Sequence, residues 1–145
     1  MLLEELAQAT VVRFKSLAQQ STVQAAAEAF ANARLGLIVV CDGQDRALGV
    51  VSKSDLVRHL ANAGPVDIPV MEIMTRSIVS AAPGDDLRAT WKLMVARRLQ
   101  NLPLLDRDRR PIGTLDIRDA LQTVLALEEE QEDQLVNYIA GIGYR

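Results

Sequence analysis

The sequence has little of the chemistry on which enzymes most often depend. Its 145 residues include one cysteine, Cys41, and one histidine, His59, and only 3% of them are aromatic. A single cysteine excludes an internal disulfide, and its place in the apolar run 37–41 predicts a buried, unreactive thiol. The lone histidine has no cysteine or carboxylate cluster at ligand spacing, and a catalytic triad lacks its parts. We therefore expect neither an enzyme nor a metal site.

Charge and hydropathy exclude two further classes of partner. The net charge is only −3 at pH 7 and aromatic residues are few, so nothing indicates a nucleic-acid surface. No apolar stretch approaches the length of a membrane span. Residues 1–5 carry acids where a signal peptide carries bases. We expect a cytoplasmic protein that binds neither nucleic acid nor membrane.

The clearest feature that is present is an internal duplication. A shift of 64 residues places Gly49 on Gly113 and Asp55 on Asp119 without a gap. Four further identities and most apolar positions follow the same register, which is the pattern of a structural repeat. Neither copy is long enough to bury its own helices and strands well, so we expect the two copies to pack together.

The predicted elements are the same in both copies. A helix with one apolar face precedes two buried strands joined by a polar turn, and a second helix follows. A further strand is expected before each first helix, near 11–17 and 77–81. The predicted fold class is α/β (α+β), with two pseudo-symmetric β-α-β-β-α repeats packed as one pair. The predicted helical faces are Val23, Ala26, Ala27 and Phe30, and Leu87, Trp91, Met94 and Val95; the predicted strands are 37–41, 47–51, 102–105 and 112–115.

Several segments resemble the CBS (cystathionine-beta-synthase-type) domain. Residues 49–55, GVVSKSD, are similar to the glycine, two apolar, Ser/Thr, two variable, Asp motif that closes such a repeat. Residues 102–106, LPLLD, resemble the family's Leu-Pro-Val-Val-Asp strand, and residues 70–75 resemble the linker that opens a second repeat. Residues 134–141 resemble the tail of some small stand-alone bacterial CBS-pair proteins, which implies a complete protein.

This resemblance implies a regulatory module that senses a small molecule. CBS pairs have two clefts between their repeats, which commonly hold adenosine-containing ligands such as AMP, ATP or S-adenosylmethionine. Two pairs often join as a flat homodimer. The expected ligand is a regulatory adenine nucleotide or a related adenosyl compound, and no cofactor is required. The alternative is a ligand-free module that dimerises or binds a partner protein. The repeats are placed at 10–64 and 70–127, with a helical extension at 1–9 and an acidic bridge and amphipathic helix at 128–145.

The first copy carries residues that could hold a nucleotide. Ser52 lies where a strand ends and a helix begins, and free N–H groups and the helix dipole favour a phosphate there. Asp55, one turn further, could accept hydrogen bonds from ribose hydroxyls. The same spacing is close to a capping box, which would explain the pair without any ligand. The other candidates for this site are Lys53, Leu37 and Ile38 for the adenine face, and Lys15 and Arg13 as phosphate partners.

The second copy differs at the phosphate position. Asp116 stands where Ser52 stands in the first copy, and this pair too could be purely a helix cap. A fixed negative charge beside a phosphate is unfavourable. We therefore predict that the first cleft is the better site, and that the second is vacant or takes a ligand whose ribose alone lies there. The candidates for this weaker site are Asp116, Asp119, Leu102, Pro103 and Arg76.

The C-terminal segment predicts an apolar stripe in need of a partner. Residues 128–134 contain no apolar side chain, so they predict a solvated helix face or a linker. Helical spacing of apolar residues then resumes with Leu135, Tyr138, Ile139 and Ile142. The candidate partners, within the chain or across a dimer, are Leu2, Leu3 and Leu6.

Overall fold

A computed structural model describes residues 1–143, with side chains described as far as residue 141. The chain opens with a 3-10 helix, Leu3–Leu6, and helix α1, Ala7–Val12. The first repeat follows as β1 (Ser16–Ala18), α2 (Val23–Phe30), β2 (Leu37–Cys41), β3 (Ala47–Ser52) and α3 (Lys53–Ala61). After a 3-10 helix, Val70–Glu72, the second repeat contains α4 (Leu87–Arg97), β4 (Asn101–Leu105), β5 (Pro111–Asp116) and α5 (Ile117–Gly143).

Each repeat is built on a small sheet. In the first, β1 pairs with β2 in parallel and β2 pairs with β3 in antiparallel fashion. In the second, β4 pairs with β5 in antiparallel fashion. The two hairpins share one register, since Leu37 faces Ser52 as Asn101 faces Asp116. The two central strands of each repeat are therefore confirmed.

The strands predicted before the first helices are shorter than expected. Residues 7–12 form α1, and β1 begins only at Ser16. In the second copy the strand is reduced to one parallel bridge between Ala81 and Leu104. Apolar residues at Val11 and Val12 suggested a strand, but both side chains are exposed on a helix. Alternation over so few residues does not distinguish a helix from a strand.

The segment that leads into each repeat packs on the last strand of the other repeat. Thr75, near the start of the second repeat, exchanges two backbone hydrogen bonds with Val50 of β3, of 3.0 and 2.8 Å. Thr10 of α1 lies against β5 in the matching position. Side chains would block both contacts, since a Cβ at Gly49 would lie 2.7 Å from the Thr75 carbonyl oxygen and one at Gly113 would lie 2.8 Å from Thr10 Oγ1. This crossed arrangement joins the two repeats and decides which residues reach each cleft.

The apolar side chains form a core in each repeat and a third cluster between them. Cys41 belongs to this central cluster, together with Val39, Ala47 and Leu105. Burial, and next the charges of nearby aspartates, raise the pKa of the Cys41 thiol to about 11, so the prediction of a buried thiol is confirmed. The prediction for Val95 is wrong, because its side chain is 51% exposed on α4. The largest fully buried side chains of the two repeat cores are Ile38, Val40, Val51, Val23 and Val70, and Leu3, Leu87, Met94, Leu102 and Leu115.

The C-terminal segment is part of one long helix. Helix α5 runs without a break through the predicted acidic bridge. The side chains of Leu135, Tyr138 and Ile139 are 58 to 67% exposed, and Ile142 lies beyond the described side chains. Leu3 is fully buried in the core of the second repeat, so the N-terminal segment does not cover this stripe within the chain. None of the helices within residues 1–143 combines the length and apolar character needed to cross a bilayer.

Candidate functional site

An open cavity lies against Asp55 in the first cleft. Its volume is about 280 Å³, near the lower end of the range for small-molecule sites. Five of the residues that line it are apolar and suit the flat face of a base, whereas Ser52, Asp55 and three other polar residues offer hydrogen bonds. The lining consists of Leu37, Val50, Ser52, Asp55, Thr75, Ser77, Val79, Leu99, Asn101 and Pro103. We call this space the Asp55 cavity.

The start of helix α3 forms a complete capping box. Ser52 Oγ accepts the Asp55 N–H at 3.1 Å, and Asp55 Oδ2 accepts the Ser52 N–H at 2.9 Å. The second carboxylate oxygen of Asp55 has only a 3.4 Å contact with Arg58, whose side chain is 71% exposed. A surface pair of this kind is weak. The capping function therefore uses one oxygen of Asp55 and leaves the other, and the Ser52 hydroxyl proton, available to a ligand.

A second cavity continues from the first toward positive charge. It measures about 400 Å³, shares Leu37, Ser52, Leu99 and Asn101 with the Asp55 cavity, and is lined further by Lys53 and Arg98. Two cations beside a helix N-terminus favour an anion such as a phosphate. We call this space the Arg98 cavity, and the two connected spaces form the first cleft.

Two residues that line the first cleft have unfavourable local surroundings. Arg98 ends α4 in the left-handed region, with φ 56°, a conformation that costs a non-glycine residue about 1 kcal/mol. Asn101 Oδ1 is buried and has no hydrogen-bond partner within the described part of the chain. A buried acceptor without a hydrogen bond costs free energy.

An ion pair occupies the part of the second cleft that lies beside Asp119. Arg13 donates from Nε to Asp119 Oδ2 at 2.9 Å and from a terminal nitrogen to Asp119 Oδ1 at 3.2 Å. Its other terminal nitrogen lies 3.6 Å from Asp116 and donates to the Arg34 carbonyl oxygen at 3.3 Å. The hydrogen bond to Asp119 is the main reason that the pKa of Arg13 is raised. Both oxygens that would face a ribose here are already bonded.

Asp116 acts as an internal anion at the start of α5. Its Oδ1 accepts the backbone N–H of Arg118 at 2.8 Å, and the Arg118 guanidinium closes on the carboxylate at 2.8 and 3.0 Å. Burial opposes the charge of Asp116, but the hydrogen bonds from Arg118 and the charge of Arg13 prevail and lower its pKa. Asp116 therefore caps α5 as expected, but Asp119 does not complete a capping box, because both of its oxygens accept from Arg13.

A third cavity lies beside Asp116, and the two clefts meet near it. It measures about 450 Å³ and is lined by Asp116, Ile117 and Arg118. It occupies the same place in the second repeat as the Arg98 cavity in the first. The two cavities therefore share part of their walls. The residues that line both are Gly36, Lys53, Gln100 and Asn101.

The structure brings together four of the seven residues predicted for the first site. Ser52, Asp55 and Leu37 line the Asp55 cavity, and Lys53 lines the Arg98 cavity. Ile38 is fully buried in the core of the first repeat, because successive side chains of a strand point to opposite faces. Leu102, predicted for the weaker site, is buried in the second core for the same reason.

The crossed packing of the leading segments changes the place of the remaining candidates. Arg13 belongs to the second cleft, where it pairs with Asp119. Pro103 lines the first cleft and not the second. Lys15 and Arg76 have exposed side chains, and the neighbours of Arg76, not Arg76 itself, line the Asp55 cavity. We had expected each leading segment to lie in the cleft of its own repeat. Instead, each lies in the cleft of the other repeat.

Sequence reasoning missed much of the lining of the first cleft. Thr75, Ser77 and Val79 reach it from the segment before α4, and Arg98, Leu99 and Asn101 reach it from the end of α4 and the start of β4. The identity of Arg34 and Arg98 under the 64-residue shift was the one signal available for these positions. It did not show that Arg98 faces the first cleft.

Comparison with known proteins agrees with this geometry. The CBS domain family matches residues 11–62 and again residues 70–126. The chain belongs to the CBS domain family. The family and the fold class expected from the sequence are thereby confirmed. An uncharacterized 17.7 kDa protein from the bps2 3' region of Acidianus ambivalens is 25% identical over 122 residues, which span 84% of this chain and 74% of that protein.

Solved structures share the fold of this CBS pair. The CBS domain pair of protein MJ0100, in complex with 5'-methylthioadenosine and S-adenosyl-L-methionine, has a TM-score of 0.72 at 16% identity, over 88% of this chain and 98% of that one. The CBS domain protein PAE2072 from Pyrobaculum aerophilum, complexed with AMP, has a TM-score of 0.71 at 24% identity, over 82% of this chain and 89% of that one. At these identities the likeness establishes the fold of the CBS pair.

Proposed function

We propose that this CBS pair is a non-catalytic regulatory module that binds one adenosine-containing ligand in its first cleft. The observation that carries the proposal is the Asp55 cavity, which has apolar walls, one weakly bonded carboxylate oxygen and a cationic extension. The apolar walls suit an adenine ring, and Asp55 Oδ1 suits the hydroxyls of a ribose. The start of α3, with Lys53 and Arg98, suits a phosphate or another anionic group.

The similar structures support this class of ligand. MJ0100 is in complex with 5'-methylthioadenosine and S-adenosyl-L-methionine, and PAE2072 is complexed with AMP. All three compounds contain adenosine and differ at the 5' position. In this chain the 5' group would lie toward Lys53 and Arg98, so a phosphorylated ligand gains more there than an uncharged one. Binding of such a ligand would shift an equilibrium between conformations by its different affinity for each.

We further propose that the module acts as a homodimer. Helices α3 and α5 expose apolar side chains at matching positions of the two repeats, because Val57 and Leu121 are related by the 64-residue shift and are 63% and 40% exposed. Leu60 and Leu125 extend the two surfaces and are 45% and 50% exposed. Exposed apolar groups clustered on a helix are typical of subunit contacts.

Isothermal titration calorimetry with AMP, ATP and S-adenosylmethionine tests the ligand proposal. The native chain should bind at least one of them with one molecule per chain, and Asp55→Ala should abolish that binding. Because Asp55 also caps α3, Asp55→Asn serves as a second variant that keeps the shape of the side chain. Asp108→Ala is the matched control, since Asp108 is 70% exposed on a turn at the far end of the β4–β5 hairpin. No binding of any of the three compounds would overturn the proposal.

A ligand-free interaction module is the second candidate function. The completed capping box supports it, because Ser52 and Asp55 satisfy the start of α3 without a ligand. In that case none of the three compounds binds, and the only effect of Asp55→Ala is a lower melting temperature. Native mass spectrometry of the protein as purified separates the two candidates, since a co-purified mass of a few hundred daltons favours the sensor and a stable protein partner favours the interaction module.

A further inference from the structure

We propose that Arg13 is a built-in occupant of the second cleft and that this side chain limits the chain to one adenosyl ligand. The inference rests on the function proposed above and adds the residue that sets the binding stoichiometry. The reasoning begins with the repeat. Under the 64-residue shift, Arg13 corresponds to Ser77. Ser77 lines the Asp55 cavity of the first cleft.

The structural equivalence of Arg13 and Ser77 is supported by packing as well as by sequence. The segments before both residues approach equivalent glycines, Thr10 at Gly113 and Met74 with Thr75 at Gly49. Each segment therefore packs against the equivalent glycine of the other repeat. Ser77 leaves room beside Asp55, whereas the longer side chain at position 13 fills the matching space beside Asp119.

The hydrogen bonds show how complete this occupation is. A guanidinium that bonds both oxygens of a carboxylate forms one of the stronger polar contacts in proteins. Arg13 makes this contact with Asp119 at 2.9 and 3.2 Å, and its side chain is only 18% exposed. A ribose could bind Asp119 only by displacing Arg13. Both Asp119 and the buried Asp116 would then lose their ion pair with Arg13. By contrast, the contact of Arg58 with Asp55 is 3.4 Å long, and the Arg58 side chain is 71% exposed.

Other groups in the second cleft remain suitable for a nucleoside. Asp119 keeps the position of Asp55 in the repeat. Thr114, which corresponds to the cavity-lining Val50, is fully buried, and its Oγ1 has no partner among residues 1–143. Asp116 disfavours a phosphate but not an uncharged nucleoside. Removal of Arg13 should therefore expose a site for adenosine but not for AMP.

The test compares the number of ligands bound to the full chain. Calorimetry with adenosine and with AMP is carried out on the native chain and on Arg13→Ser, which copies the residue of the first cleft. We expect adenosine to bind once to the native chain and twice to Arg13→Ser, whereas AMP binds once to both. Arg13→Ser in combination with Asp119→Ala should return the adenosine stoichiometry to one.

A reciprocal variant tests the same idea without disturbing the second cleft. Ser77→Arg places a guanidinium beside Asp55, where it should form the contact that Arg13 forms with Asp119. We expect it to weaken adenosine and AMP binding by at least about tenfold, since the ligand must break a bidentate ion pair. Asp108→Arg, which adds the same side chain on the exposed turn of the β4–β5 hairpin, is the control and should bind within about twofold of the native chain.

The outcomes separate this inference from the proposed function. If the native chain binds none of adenosine, AMP, ATP and S-adenosylmethionine, the proposed function itself fails. If the native chain binds one ligand, but Arg13→Ser folds and still binds one adenosine, the inference is wrong and the proposed function stands. Should Arg13→Ser fail to fold, Ser77→Arg decides, and an unchanged affinity in that variant overturns the inference.

Discussion

The two clefts have the same backbone arrangement but different side chains inside them. Both lie at the start of a helix that follows a β-hairpin, and in both the first helical N–H donates to an equivalent carbonyl oxygen, Lys53 to Gly36 and Ile117 to Gln100. In the first cleft the carboxylate is left half free. In the second, Asp116 supplies an anion and Arg13 a cation from within the chain. A duplicated fold therefore need not give duplicated sites.

The comparison also shows how the clefts could influence each other. Lys53 and Asn101 line cavities on both sides, so a ligand beside one helix start alters the wall of the other. Lys53 lines both the cavity beside Asp116 and the Arg98 cavity, where the phosphate is expected. If a phosphate attracts Lys53 toward the first cleft, Asp116 keeps its ion pairs with Arg13 and Arg118, which already neutralise its charge.

The largest expected difference between the clefts concerns stability. Arg13→Ala removes the cation shared by Asp119 and the buried Asp116, and loss of one partner from a largely buried pair should lower the free energy of unfolding by about 2 kcal/mol. Arg58→Ala removes the exposed partner of Asp55 and should change it very little. Urea titration of the two variants measures both values. Equal losses would show that the two aspartates have equivalent surroundings, contrary to the comparison.

The next effect separates affinity from stability within the first cleft. Arg98→Gly removes a cation from the Arg98 cavity, and AMP affinity should fall about tenfold, the loss expected for a charge-assisted hydrogen bond. Glycine adopts the left-handed conformation of residue 98 without strain, so stability should be unchanged or higher by up to about 1 kcal/mol. Calorimetry and thermal melting give the two readings. Arg97→Gly, one residue earlier in α4, is the control and should lower stability without this loss of affinity.

The smallest expected effect is on the pH dependence of unfolding. The pKa of Asp116 is lowered in the folded chain, so its charged form stabilises the fold above the ordinary aspartate pKa of about 3.9. That contribution is lost as the pH falls through the lower folded value. Asp116→Asn should therefore show a shallower fall in unfolding free energy below about pH 4. Part of the pH dependence should remain in this variant, because backbone N–H groups of Arg46 and Gln44 lower the pKa of Asp42 as well. A slope equal to that of the native chain would contradict the ion-pair account of Asp116.

Local patterns were enough to predict much of the fold. The apolar runs at β2 and β4 and the helical face of α2 are set by residues close in sequence, and each appears where it was expected. The Ser52/Asp55 capping box is also local, because its two hydrogen bonds span three residues. The duplication itself required only comparison of the chain with itself.

The face to which each strand residue points was harder to predict. Strand β2 is buried along its whole length, so its sequence has no alternation to show that Leu37 lines the cleft while Ile38 fills the core. The same holds for Leu102 and Pro103 in β4. Where both faces of a strand are buried, only its neighbours in three dimensions distinguish them.

The sequence by itself therefore determined the repeat, its register and the difference between Ser52 and Asp116. Only the tertiary structure decided which leading segment enters which cleft, and hence that Arg13 lies beside Asp119 while Ser77 lies beside Asp55. The physical reason is that contacts between β3 and Thr75, or between β5 and α1, join residues far apart in sequence. Which segment packs on which strand depends on the close approach of the two repeats at Gly49 and Gly113. No sequence pattern within either segment specifies it.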